Sequence, residues 1–143
     1  MALTMRAAVL YAANTPLKIE EVELHGPNQD ELLVRLAACG VCHSDLSVLN
    51  ELFPCPTPVV LGHEASGVVE EVGRSVTRMH VGDHVVASWS PACGQCRYCR
   101  EGWRNLCVDL APMGFTYPGG MSEDTVIVTP RLDAEGQLRR KGT

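Results

Sequence analysis

Four cysteines crowd one short stretch, Cys93, Cys96, Cys99 and Cys107, with the spacing C-x2-C-x2-C-x7-C. Thiolates spaced this way can close a tetrahedron around Zn²⁺, an ion that asks for suitable ligands in number and imposes no d-electron geometry. Each x2 step lets one tight turn deliver two sulfurs to the same ion. A site filled by four protein ligands has no open position, so its role would be structural. Two disulfides or an iron–sulfur cluster are the competing uses of four clustered cysteines. A reducing compartment favours the metal over the disulfides.

A second constellation is spread over two turns. Cys42 lies in G-V-C-H-S-D, residues 40–45, and His63 in G-H-E, residues 62–64. A thiolate and an imidazole are half of a zinc site. A catalytic zinc needs three protein ligands and an open position for water or substrate. Asp45 is placed to accept a hydrogen bond from the outer ring nitrogen of His63, which would fix its tautomer. Glu64 is a candidate either to stand behind the ligands or to serve as one. Taken alone the pair is weak, because a single Cys and a single His are more often packing residues. His25, His80 and His84 read as surface or turn histidines, and Cys39 and Cys55 as small buried residues.

The elements that must position these groups read as β. Residues 5–13 and 17–25 are strand candidates separated by Asn14-Thr15-Pro16. The apolar phase shifts after Ile19, which predicts a bulge or twist. Residues 31–40 form a third candidate that runs into the turn bearing Cys42. A short helix starts near Ser44-Asp45, with Leu46, Val48 and Leu49 on its following turns. The alternating prolines of residues 53–58 exclude helix. Residues 59–61, 65–72, 84–88 and 121–130 are further strands, and residues 91–108 are expected to be a cysteine-rich loop. Many short strands with Gly/Pro turns point to a barrel or sandwich. No strand–helix–strand alternation and no G-x-G-x-x-G occur, so these residues carry no dinucleotide fold.

Composition agrees. The 143 residues suit one domain. Two Trp, three Tyr and two Phe leave the core to Val, Leu and Ala. Twelve basic against seventeen acidic residues give a net charge of −5, which argues against nucleic acid as a partner. No apolar run suits a membrane helix and no signal-peptide pattern is visible, so the expected location is cytoplasmic. Residues 131–143 are polar, charged and aperiodic, and are expected to be a tail.

Residues 62–76, GHEASGVVEEVGRSV, resemble the zinc signature of the medium-chain, zinc-dependent alcohol dehydrogenases, with Gly67, Gly73 and Val76 in its places. GVCHSD, Val81-Gly82-Asp83 and the four-cysteine stretch stand in that family's order and spacing. The resemblance runs from Met5 to Pro130. It implies a mainly β, GroES-like barrel with short helices and a four-cysteine zinc loop over residues 1–130, the catalytic domain of such enzymes. It implies one structural and one catalytic Zn²⁺, with Cys42 and His63 as catalytic-zinc ligands. Ser44 is implied as the hydroxyl that takes the substrate's proton and His43 as a neighbour of the cofactor pyrophosphate. Asp45 and Glu64 would support the ligands, while Phe53 and Trp89 would be pocket walls. The implied reaction is oxidation of a small alcohol to an aldehyde or ketone, or the reverse, by hydride transfer with NAD or NADP.

The sequence departs from that family in three places. The third catalytic ligand and the nicotinamide-binding domain have no counterpart in these residues, and residues 131–143 read as the lead into such a domain. Some members end their proton relay on a histidine three residues after the serine, where this chain has Ser47. A stand-alone zinc-binding β module without hydride chemistry is the alternative reading. The substrate and oligomeric state stay open, a homo-oligomer among the options.

Overall fold

The computed structural model describes residues 2–128. Strands β1 (Ala2–Leu10) and β2 (Lys18–His25) pair antiparallel, and β4 (Val59–Val60) joins the other edge of β1. The second sheet runs in the order β6 (His84–Val86), β5 (Glu64–Val72), β3 (Glu31–Gly40), β7 (Asp124–Val128), all antiparallel. An isolated bridge from Ala7 to Ser122 links the two sheets. The architecture is therefore mainly β, as composition and turn spacing indicate. Among the described residues no helix is long and apolar enough to cross a membrane. The polar stretch 131–143 lies outside the described residues.

Three sequence expectations need correction. No bulge follows Ile19: the β1–β2 register is continuous from Ala2 opposite His25 to Val9 opposite Lys18. Glu20, Val22 and Leu24 share the more sheltered face, and Ile19 points outward at 78% exposure. The phase shift was thus an apolar residue on the solvent side. The cysteine-rich stretch is not all loop, because it holds α2 (Arg97–Arg100) and a 3₁₀ turn at Arg104–Leu106. Cys39 and Cys55 are half-buried.

Packing fixes the short helix α1 (His43–Leu49) against the first sheet. Val48 joins Leu10, Val59 and Leu61 in one buried cluster. Leu32, Val34 and Val69 make the core of the second sheet. Pairing of β3 with β5 as far as Gly40 opposite Glu64 holds the turn after β3 and the turn before β5 side by side, and these turns carry Cys42 and His63.

Gly67 shows how closely β3 and β5 approach. A Cβ there would fall on the Arg35 carbonyl and 2.8 Å from Val34 Cγ1. Backbone cannot retreat as a side chain can, so Gly67→Ala is expected to destabilise the chain by about 2 kcal/mol in urea unfolding. An unchanged urea midpoint would show that the strands tolerate a wider spacing.

Candidate metal centre

The first donor set is the cysteine lobe. One ligand atom from each of Cys93, Cys96, Cys99 and Cys107 lies within 4.8 Å of all the others. Backbone amides point at the sulfurs: Cys93 N–H donates to Cys107 Sγ at 3.2 Å, Cys96 N–H to Cys93 Sγ at 3.4 Å, and Asp109 N–H to Cys107 Sγ at 3.4 Å. Such donors stabilise thiolates. Backbone donation from Cys99 and Val108 lowers the Cys96 thiol to about 6, whereas burial pushes Cys99 up to about 12. A cation is the group that lets all four sulfurs be deprotonated together, and its binding would release the protons. The donor set therefore fits a tetrahedral Zn²⁺.

The second set is Cys42, His63 and Glu64, which also offer ligand atoms within 4.8 Å of one another. Cys42 is the N-cap of α1, and Asp45 at the third helical position accepts its N–H at 2.9 Å. The other carboxylate oxygen of Asp45 accepts the Gly62 N–H at 3.2 Å. Gly62 has φ +96°, a conformation that favours glycine, and it turns the chain so that His63 enters the interior. The His63 ring then lies between two groups. Its Nδ1 edge faces Asp45 Oδ1 at 3.4 Å, and its Nε2 lies 3.1 Å from Ser44 Oγ. Nδ1 is buried without a hydrogen-bond partner, and Nε2 is the ring nitrogen that faces Ser44 and the site. One sulfur, one imidazole nitrogen and one carboxylate oxygen fit Zn²⁺ with a position left open.

Residues 28–132 match the family described as the alcohol dehydrogenase GroES-like domain. The chain belongs to this family. The GroES-like domain is 50% identical over 120 residues to an NDMA-dependent alcohol dehydrogenase of Amycolatopsis methanolica, covering 82% of this chain and 31% of that protein. A cobalt- and zinc-bound thermostable alcohol dehydrogenase of Pyrobaculum aerophilum superposes with a TM-score of 0.82 at 33% identity, covering 95% of this chain and 41% of that one. An alcohol dehydrogenase of Escherichia coli CFT073 complexed with NADH gives 0.79 at 32% identity, covering 95% and 38%. The GroES-like domain thus spans about a third of the length of the curated relatives it matches.

Around the second set the GroES-like domain places most of the residues singled out from sequence. His43 is exposed on the first turn of α1. Trp89 stands edge-on to His63 with ring centroids 6.5 Å apart, and is 52% exposed. Phe53 does not reach His63 directly. It packs edge-on to Phe115 at 5.7 Å, and Phe115 in turn lies 5.4 Å from His63. Phe115 is the residue that sequence reasoning missed. It sits in M-G-F-T-Y, a stretch without motif or period, and only the fold brings it to the histidine. His25, His80 and His84 are exposed and outside both donor sets. Asp45 faces His63 Nδ1 at 3.4 Å, and its hydrogen bonds go to two backbone amides.

That last point is testable. Asp45 is 1% exposed, and removing its carboxylate would leave two amides without an acceptor. Asp45→Ala should cost about 3 kcal/mol in denaturant unfolding with chelator present, and Asp45→Asn less, since one acceptor remains. Equal losses for the two variants would mean that charge, and not the paired acceptors, holds the turns.

Proposed function

We propose that this GroES-like domain is the catalytic domain of a zinc-dependent alcohol dehydrogenase that interconverts alcohols and aldehydes or ketones with NAD or NADP. The observation that carries the reading is the convergence of Cys42, His63 and Glu64 beside the Ser44 hydroxyl. In this reading Cys42 and His63 hold the catalytic ion, with Glu64 as third donor, and Cys93, Cys96, Cys99 and Cys107 hold the structural one. A zinc ion held at the first of these sites supplies Lewis acidity that lowers the pKa of an alcohol hydroxyl.

The chain's own residues do the rest. Ser44 Oγ, half-buried beside Nε2 of His63, takes the proton of the alcohol. Ser47, which stands where some family members carry a relay histidine, donates its hydroxyl to the His43 carbonyl at 3.1 Å. Phe115 and Trp89 set aromatic rings beside His63, with Phe53 against Phe115, an apolar surface that suits a small alcohol. His43, exposed at the start of α1, is placed to meet the cofactor's phosphates. Nucleotide binding itself we place in the remaining length of the relatives, since these residues hold no dinucleotide motif. A cytoplasmic location suits cysteines that serve as metal donors and not as disulfides.

Two measurements test the reading. Elemental analysis after equilibration with zinc is expected to give two ions per chain, falling by one in Cys42→Ala and by one in Cys99→Ala. One ion per chain, unaffected by Cys42→Ala, would refute a catalytic site built from these donors. The second test replaces the matched third of the Amycolatopsis methanolica enzyme with this chain. The chimera is expected to oxidise alcohols, and His63→Ala in it to lose at least ~10³-fold in kcat/KM, the scale of a lost catalytic group. A folded, nucleotide-binding chimera with no activity toward any alcohol would leave the domain without the proposed reaction.

A further inference from the structure

Glu64 opens β5 and stands directly opposite Gly40, the last residue of β3. Gly40 does not adopt a positive φ, so its backbone angle is one that any residue could take. Room is what it provides. The three atoms nearest to a Cβ built on Gly40 all belong to Glu64: Oε2, with which it would overlap, Cβ at 3.2 Å and Cδ at 3.5 Å. The Glu64 side chain thus lies back across the glycine, although the residue remains exposed. In that position a carboxylate oxygen comes within 4.8 Å of the ligand atoms of Cys42 and His63.

We propose that Gly40 is a positioning residue for the metal site: its missing side chain is the slot that holds the Glu64 carboxylate among the donors. The inference rests on the reading of Glu64 as third donor. The nearest atom to the added methyl group is the far end of a flexible side chain, and the Glu64 Cβ at 3.2 Å need give by only a few tenths of an ångström, so Gly40→Ala is expected to move the carboxylate while the strand pair persists. Donor placement and folding are therefore separable at this position.

The test uses the whole chain with the cysteine lobe filled by zinc, titrated with Co²⁺ and followed by the visible absorption of the second equivalent. Glu64→Ala and Gly40→Ala are each expected to weaken Co²⁺ binding about 10–100-fold and to change the absorption in the same way. The double variant is expected to bind no more weakly than Glu64→Ala alone, because the glycine acts only through the carboxylate. Wild-type affinity and spectrum in Gly40→Ala, alongside a weakened Glu64→Ala, would overturn the slot and leave the donor reading standing. Unchanged binding in Glu64→Ala would overturn the donor reading and the slot with it. Full additivity in the double variant would overturn the slot alone. If Gly40→Ala does not fold, the double variant decides: folding there supports the slot, and failure there assigns the glycine to backbone packing.

Discussion

The buried carboxylate of Asp45 is the point on which the site depends. It accepts one amide from the turn that carries Cys42 and one from the turn that carries His63. Those turns follow β3 and precede β5, and they meet because the two strands pair antiparallel as far as Gly40 opposite Glu64. A single side chain thus converts a strand register into a ligand geometry. It also explains why α1 can be as short as seven residues. Its start is tied by Asp45 and its end by Val48 in the aliphatic cluster, so intrinsic helix propensity has little left to decide.

The two donor sets differ in kind. The cysteine lobe is closed, with four ligands of one type and three amides directed at two of its sulfurs. The second set mixes sulfur, nitrogen and oxygen, has a hydroxyl at 3.1 Å from its imidazole, and opens toward aromatic rings. Closed, uniform sets hold structure together, and open, mixed sets leave a coordination position for chemistry. The same metal can therefore serve both ends of one small domain without the two roles competing.

Legibility in the sequence followed the distance over which each feature is determined. The cysteine spacing is local, and it announced a tetrahedral site by itself. The strand 31–40 and the helix after Cys42 are also local: the strand formed over the same residues, and the helix begins at His43, just before the expected start at Ser44-Asp45. Cys42 and His63 are 21 positions apart with nothing in their own spacing to link them, so only resemblance to a family motif joined them. Phe115 reaches His63 through the fold alone, and the Gly40–Glu64 contact exists only once the register of β3 and β5 is known. Ile19 misled because an exposed apolar residue breaks a pattern without breaking a strand.

The cysteine lobe has a wider implication. Its helix is four residues long, its 3₁₀ turn three, and within them only Cys99 is a buried side chain, with Cys107 just beyond. The lobe has no hydrophobic core of its own, while Trp103, Leu106 and Val108 stand exposed on it. Such a segment keeps its shape only as long as its sulfurs share an ion. In a zinc-starved cell it would become the part of the domain most readily cut by a protease.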